Sequence, residues 1–422
     1  MREMKDSGIE WLGEIPSHWK SKPIGALFHE IRTKNVLGNK KQALQFKMGS
    51  IVPKTNFDAD VEDYVANTMA NYTLVDYGTI MINGLNLNFD FITQRVALVK
   101  DTGAITSAYM AIKANDLNRM MPEYSTYLLK TYDNCKAFHN MGGGVRKILN
   151  FDELRRSYMV IPPIDEQKRI AEFLDAKCAE IDALIADIQA QIETLEQYKR
   201  SIIAEAVTKG LNPDVPIKES GAGWLGLIPS HWETDKFKYH LARSEPKNPG
   251  GMIVLSLYRE LGIIPKDSRD DNHNQTSEDT SKYKYVMPGN FVVNKMKAWQ
   301  GSVAVSEYEG IVSPAYYVYK FTDRVFNKRY FHYLLRGCYK DEFMRLSGGM
   351  RVGQWDLSAE DLENTIIIIP PQEEQDLISR YLDKKCSEVD SCVESKKEQI
   401  ATLETYKKSV IFEYVTGKKE VV

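Results

Sequence analysis

A chain of 422 residues exceeds what one ordinary hydrophobic core needs, so two or more domains are expected. Its composition, 43% hydrophobic and 27% charged, excludes general disorder, and no apolar run approaches the roughly 20 residues of a membrane span. The segment Met1–Asp6 is charged and lacks the apolar run of a signal peptide, so we expect a cytoplasmic protein with no membrane role.

The formal net charge of −3 is unevenly distributed along the chain. Residues 20–150 hold 16 Lys/Arg against 11 Asp/Glu, and residues 232–345 hold 18 against 14. Basic stretches on an otherwise acidic chain are typical of a protein that meets phosphate groups locally. Ordinary fluctuation of composition over such lengths is the alternative.

The first recognisable element is a short opening motif that occurs twice. DSGIEWLGEIPSHWK, which begins at Asp6, returns as ESGAGWLGLIPSHWE from Glu219. Such a repeat indicates that the chain is one unit duplicated in tandem. We interpret the aromatic and histidine residues of the motif as domain-packing residues rather than ligands: His18, Trp19, His231 and Trp232.

A diverged block follows each opening motif, over residues 20–150 and 235–350, and both blocks are predicted to be mixed α/β. Strands are predicted over residues 79–82, 291–293 and 315–319, and helices near residues 124–132 and 330–336. Two different ligand specificities on one scaffold would explain why the two blocks differ in sequence while the segments on either side of them are repeated. A structural duplication with drifting surfaces is the alternative.

The diverged blocks hold side chains that suit nucleic-acid recognition. Arg, Lys, Asn and Gln make the specific pairings with base edges, so such residues after strands are candidates. For each of them a solvated loop residue is the alternative, and Arg146 and Arg351, which follow glycines, suit either phosphate contact or a surface turn. The predicted set is Lys54, Asn83, Asn86, Arg95, Tyr109, Arg146, Lys266, Asn294, Lys295, Lys297, Trp299, Tyr316 and Arg351.

A long helix closes each half of the chain. IPPIDEQKRIAEFLDAKCAEID from Ile161 returns from Ile369 as IPPQEEQDLISRYLDKKCSEVD. Pro-Pro followed by acids is typical of a helix start, and apolar residues then recur at three- and four-residue steps. The pattern predicts an antiparallel coiled coil of roughly 65 Å helices, with two locally packed helices as the alternative. The predicted seam contains Ile181, Ile188, Ile192, Leu195, Val389, Ile400 and Leu403.

Motifs of catalysis and of cofactor binding are missing from the sequence. It contains no P-loop, no GxGxxG after a strand, no GxSxG and no HExxH. The five cysteines form no CxxC pair and no cluster with histidine, which favours small buried side chains over a metal site. We therefore expect neither catalysis nor a bound metal in this chain.

The order of these motifs resembles the specificity subunit of type I restriction–modification systems across essentially the whole chain. The resemblance rests on WLGEIPSHW and WLGLIPSHW, which open the halves, and on IPPIDEQ and IPPQEEQ, which open the helices. It implies an α+β fold with a tandem duplication of a mixed α/β DNA-recognition domain, each copy followed by a long helix. The implied divisions are residues 1–160 and 213–368 for the recognition domains, and 161–212 and 369–422 for the spacer helices.

The resemblance also implies a function in DNA recognition. Each domain of such a subunit reads one half of a split double-stranded DNA site. Two modification subunits methylate adenine with S-adenosylmethionine and two restriction subunits cleave with ATP and magnesium, so no cofactor is expected in this chain. A catalytic protein with a disguised site and a coiled-coil adaptor without a DNA role are the rival hypotheses.

Overall fold

The structure, a computed structural model, describes most of the chain in two compact units. The described residues are 2–38, 40, 42–47, 49–54, 69–92, 94–141, 143, 147–258, 262–268, 279–349 and 355–421. One unit comprises Met1–Ile188 with Lys397–Val422, and the other comprises Gln189–Lys396. Each unit therefore combines one opening motif and one diverged block with parts of both long helices, whereas the predicted divisions follow the order of the sequence.

The first unit is built on two sheets. In the first the strand order is β4-β11-β8-β9, and in the second it is β6-β5-β10-β7. Its strands are β1 (Met4–Asp6), β2 (Glu14–Pro16), β3 (Lys20–Pro23), β4 (Phe28–Glu30), β5 (Ala43–Lys47), β6 (Ser50–Pro53), β7 (Thr73–Val75), β8 (Ile80–Ile82), β9 (Val96–Leu98), β10 (Gly103–Ile105), β11 (Met110–Ala114) and β12 (Tyr158–Ile161).

Two helices of the first unit pack near these sheets. The helix α1 (Pro122–Asn134) starts with proline, whose fixed φ suits a first helical turn, and it covers the helix predicted at residues 124–132. A capping box between Asn150 and Glu153 starts α2 (Phe151–Leu154). The main core lies between α1, the β4-β11-β8-β9 sheet and the opening motif.

The second unit repeats this plan with a smaller second layer. Its principal sheet has the order β16-β23-β20-β21 and is accompanied by the ribbons β17-β18 and β19-β22. The strands are β13 (Ile217–Glu219), β14 (Leu227–Pro229), β15 (Glu233–Lys236), β16 (Leu241–Arg243), β17 (Leu255–Tyr258), β18 (Gly262–Pro265), β19 (Lys284–Val286), β20 (Phe291–Asn294), β21 (Val303–Val305), β22 (Gly310–Val312), β23 (Tyr316–Phe321) and β24 (Ile366–Ile369).

The helices predicted from the apolar patterns are present. The short helices of the second unit are α4 (Phe237–His240), α5 (Lys328–Cys338), α6 (Lys340–Leu346) and α7 (Ala359–Asn364), and the two long helices are α3 (Ile164–Lys209) and α8 (Gln372–Val415). Acidic residues occupy the first turn of each long helix, where the helix dipole favours negative charge. Within the described residues, none of the helices combines the length and apolarity of a membrane span.

The long helices run antiparallel within each unit. In the first unit Phe173 packs on Tyr414 with ring centroids 4.4 Å apart, and Lys407 reaches Asp182 at 2.6 Å. In the second unit Lys199 reaches Asp390 at 2.7 Å. Higher residue numbers on α3 thus face lower numbers on α8, as predicted. All seven predicted seam residues are buried or half-buried: Ile181, Ile188, Ile192, Leu195, Val389, Ile400 and Leu403.

Side-chain contacts attach each opening motif to the first turn of a long helix. We refer to this contact, which occurs in both copies, as the joint. The indole Nε1 of Trp19 donates to Glu166 Oε2 at 3.0 Å, and His18 Nε2 lies 2.7 Å from Oε1 of the same carboxylate. Trp232 donates to Glu374 at 2.9 Å in the second copy. Both tryptophans are fully buried, which confirms their interpretation as packing residues.

The glutamine after each of these glutamates makes a second joint. Gln167 is fully buried, accepts from the Met121 N–H at 2.9 Å and donates to the carbonyls of Arg119 and Pro162. Gln375 makes the same three contacts in the second unit, with the Asn327 N–H and the carbonyls of Val325 and Pro370. The Glu-Gln pair of the repeated motif therefore fixes the mixed α/β domain of each unit on the long helix.

Candidate nucleic-acid interface

Both units present an asparagine and a tyrosine at the same edge of their principal sheet. In the second unit Asn294 and Tyr316 face each other at the end of the β20–β23 pairing. In the first unit the β8–β11 pairing ends with Ile82 opposite Met110, and Asn83 and Tyr109 are the next residues outward. The structure thus brings together two pairs of predicted site residues that are far apart in sequence.

A charged cluster lies beside this edge in the second unit. Lys295 donates to Asp356 Oδ2 at 2.8 Å, and this hydrogen bond raises the pKa of Lys295, which keeps its ammonium charged. Its side chain remains one-third exposed. Lys297 is exposed, and its ammonium has no ion-pair partner within the part of the chain that the structure describes.

Four residues that were not predicted from the sequence complete the cluster. Arg243 lies over the ring of Tyr317, 4.8 Å from its centroid, and donates to Glu245 at 2.9 Å. Lys284 donates to the same carboxylate at 2.7 Å. Burial raises the pKa of Glu245, but the hydrogen bonds from the two cations outweigh it and the pKa is lowered. The position of Arg243 at a strand end in a basic stretch was the available signal.

The loop after β20 also carries aromatic surface. Trp299 is half-buried, donates from Nε1 to the carbonyl of Met296 at 3.1 Å, and meets Trp355 edge-on with centroids 5.6 Å apart. Met296 is exposed. The predicted stretch Asn294–Gln300 is therefore a turn with cations and aromatic rings at its surface.

Asn294 supports this edge rather than facing outward. Its exposed fraction is 8%, so the predicted direct base contact by its side chain is not available in this conformation. Burial raises the pKa of Tyr316, and hydrogen bonds from the Leu257 backbone and the Asn294 side chain act in the opposite direction. Asn294 thus fixes the neighbouring tyrosine.

Arg95 is the second correction to the predicted set. It is fully buried, and its guanidinium donates to the carbonyls of Asn83, Leu85 and Asp90 at 3.0, 2.7 and 2.6 Å. A guanidinium that holds three backbone oxygens cannot also face a phosphate or a base, so Arg95 has a structural role here. Its position close to Asn83 in sequence gave no sign of this.

The other predicted residues lie at several places in the two units. Asn86 is exposed with φ of 53°, and Tyr109 is half-buried against Phe46, 5.4 Å away. Lys54 follows β6 in the second sheet of the first unit, and Lys266 follows β18, and both are half-buried. Arg146 and Arg351 lie outside the described residues. The described residues contain no group of three or more His, Cys, Asp or Glu that could hold a metal ion.

Comparison with known proteins identifies the family. The family described as "Type I restriction modification DNA specificity domain" matches residues 92–194 and 245–405. The chain belongs to this type I restriction–modification specificity family. The family assignment confirms the resemblance drawn from the repeated motifs.

Relatives and solved structures of the family match almost the full chain. A protein of Methanocaldococcus jannaschii provisionally named the MjaX type I restriction enzyme specificity subunit is 24% identical, over 97% of this chain and 96% of its own. The MjaVIII specificity subunit of that organism is 26% identical, over 74% and 73%. A chain from a solved type I R-M system has a TM-score of 0.70 at 15% identity, covering 96% of this chain and 99% of its own. The HsdS subunit from Thermoanaerobacter tengcongensis has a TM-score of 0.50 at 16% identity, covering 96% and 98%. The structural matches support the α+β fold of this specificity-family member.

Proposed function

We propose that this specificity subunit reads a bipartite double-stranded DNA site, one half with each recognition domain. The observation that carries the proposal is the shared sheet edge, where an Asn–Tyr pair is kept in both units while the loops beside it differ. A common frame with different surface loops suits two half-sites of different sequence. In the second unit, cations and aromatic rings beside that edge match the needs of phosphate and base contact.

We infer that the chain is a non-catalytic part of a larger complex. In this proposal two modification subunits methylate adenine with S-adenosylmethionine, and two restriction subunits cleave with ATP and magnesium. The cofactors then belong to the partner subunits.

The long helices are proposed to set the distance between the two half-sites. Helices of 46 and 44 residues correspond to roughly 65 Å each, and their antiparallel pairing in each unit makes a stiff element. Half-sites on one face of DNA are separated by about 34 Å, or about 10 base pairs, for each helical turn. The spacing of the half-sites should therefore follow helix length.

The spacer role is tested by deleting one heptad from each helix. Residues 181–187 and the facing residues 400–406 are removed together, so that the seam stays in phase. A methyltransferase complex with this chain should methylate a site with a shorter nonspecific gap and unchanged half-site sequences. Retained binding with an unchanged gap would exclude the spacer role.

The main test is a map of methylated adenines. The chain is co-expressed with its modification subunit in a host without type I methylation, and the genome is sequenced for N6-methyladenine. A bipartite motif with two defined halves and a fixed gap is expected. Methylation without a bipartite motif, or methylation by the purified chain alone, would overturn the proposal.

A further inference from the structure

A loop of the first unit exposes apolar side chains at the edge where DNA contact is proposed. It lies between β8 and β9, and we refer to its described residues, 83–92 with 94 and 95, as the apolar loop. The exposed fractions are 74% for Phe89 and 94% for Ile92, and Phe91 is exposed by 55%. Exposed apolar residues in a cluster, rather than singly, mark an interaction site on a soluble protein.

Hydrogen bonds from neighbouring side chains hold the backbone of the apolar loop. Besides the three carbonyls that Arg95 binds, the carbonyl of Phe91 accepts from Lys136 Nζ at 2.5 Å. The Asp90 carbonyl, one of those three, also lies 3.2 Å from His139 Nε2. The ring of Phe91 stacks on His139 with centroids 4.8 Å apart and an angle of 16°. Cationic and imidazole donors thus hold four carbonyls of the loop, those of Asn83, Leu85, Asp90 and Phe91.

Close backbone contact at the base of the loop adds to this support. A Cβ atom on Gly84 would lie 2.3 Å from the carbonyl oxygen of Leu149, so only glycine fits there. The Leu149 N–H donates to the Gly84 carbonyl at 2.9 Å, and Leu87 of the loop is buried in the main core. The exposure of Phe89 and Ile92 is therefore a consequence of the fold and not of a frayed segment.

The charges around the apolar loop favour a polyanionic partner. Its acid Asp90 and the supporting Asp133 both face Arg95, at 3.6 and 4.0 Å. Two cations lie beside the apolar loop, of which Lys147 is exposed and Lys136 is half-buried. Apolar side chains beside cations are the arrangement with which proteins contact bases while cations hold the phosphates.

The second unit offers a counterpart at the equivalent position. There the loop after β20 exposes Met296 and Lys297, and its half-buried Trp299 ring meets the half-buried ring of Trp355. The two loops have diverged in sequence, but each leaves its principal sheet at the same edge, where Asn83 and Tyr109 follow the last β8–β11 pair and Asn294 pairs with Tyr316. This correspondence ties the apolar loop to the reading function rather than to a contact of one unit alone.

We propose that Phe89 and Ile92 are specificity-determining residues that contact DNA bases through apolar surface in one half-site. This inference rests on the proposed function. Apolar side chains can read thymine by its methyl group in the major groove or can insert between base pairs and unstack them. Both modes use the same chemistry, and Arg95 acts as the residue that positions the loop.

The test uses the complete methyltransferase complex with Phe89→Ala, with Ile92→Ala and with both. Binding to the cognate duplex should weaken about tenfold, since contacts of this kind contribute on the order of one such factor. The dependence of binding on salt concentration should not change, because no phosphate contact is removed. The methylation motif should relax in one half-site only.

Leu117→Ala is the matched control. Leu117 is 58% exposed in the same unit but follows β11 at the end opposite Tyr109, and its removal should leave affinity and motif unchanged. Deoxyuridine in place of thymine in the affected half-site should weaken wild-type binding if the methyl group is read. A rise of 2-aminopurine fluorescence at that position should appear instead if bases are unstacked.

Two outcomes would overturn the inference. The double variant could retain wild-type affinity and motif, which would leave the apolar loop without a role in reading. It could instead fail to bind the modification subunit while DNA preference is unchanged, which would make the loop a protein-docking surface. A wild-type complex without any bipartite motif would count against the proposed function itself, so the two failures are distinguishable.

Discussion

The indole of Trp19 donates to Glu166 across 147 positions of sequence, at 3.0 Å, in the first turn of a long helix. The second copy repeats the bond between Trp232 and Glu374 at 2.9 Å. A buried indole N–H and a carboxylate that also meets histidine form a charge-assisted contact, which is stronger than a neutral one. The motif that identifies the repeat is therefore also what orients each domain on its helix.

Replacement of Trp19 by phenylalanine should destabilise the chain by about 2 kcal/mol. The ring is largely kept, but Glu166 loses a donor and the space of the larger indole is left empty. Urea unfolding followed by circular dichroism measures the change. Trp11→Phe is the control: its ring packs edge-on against Tyr132 and its N–H has no partner among the described residues, so the loss should be clearly smaller.

The joint should also make stability depend on pH. Burial raises the pKa of Glu166, but hydrogen bonds from His18 and Trp19 outweigh burial and the pKa is lowered in the folded state. The stabilisation by a carboxylate of lowered pKa is complete above the unfolded pKa, about 4.3, and is lost as the pH falls through the folded pKa.

The variant Glu166→Gln isolates this contribution. Its free energy of unfolding should lie below that of the wild type at pH 7, and the gap should close as the pH falls below about 4. Glu193→Gln, at an exposed position in the middle of the same helix, is the control, and its free energy of unfolding should stay close to that of the wild type. A gap for Glu166→Gln that is constant with pH would contradict the role of the charge.

Gln167→Leu should cost about 3 kcal/mol, because it leaves the Met121 N–H and two backbone carbonyls unsatisfied in the interior. Gln197→Leu, at an exposed position of the same helix, is the control and should be nearly neutral. Equal urea midpoints for the two variants would show that the buried amide of Gln167 does not stabilise the attachment of the domain to the helix.

The repeated elements of this fold could be predicted from the sequence, because the opening motif and the long helix each occur twice. Apolar periodicity predicted the long helices α3 and α8, and the predicted seam residues are buried or half-buried in the structure. The register of strand pairing within the sheets could not be predicted from the sequence. Asn294 and Tyr316, for example, become neighbours only because β20 and β23 pair. The packing role of Trp19 was anticipated, but its bond to Glu166 was not.

Arg95 shows why individual site residues are harder to predict than the repeated motifs and helices. An arginine near Asn83 in a basic stretch has the composition of a DNA contact, yet the loop folds its own carbonyls around the guanidinium. Whether an arginine faces solvent or backbone depends on tertiary placement and not on spacing in sequence. The same loop then exposes Phe89 and Ile92, which no polar pattern would select.

Substitutions of Lys297 and Lys295 test whether the loop after β20 in the second unit contacts DNA. Lys297→Ala should weaken binding of the assembled methyltransferase to DNA and lower the slope of log affinity against log salt by about 0.9, the value for one phosphate contact. Lys295→Ala should weaken binding further, because it also leaves Asp356 as an uncompensated negative charge facing DNA. Asp356→Asn keeps the lysine and removes the acid, so its affinity should equal or exceed that of the wild type. Filter binding at several salt concentrations measures all three variants, and unchanged affinity and sequence preference in both alanine variants would show that this loop does not contact DNA.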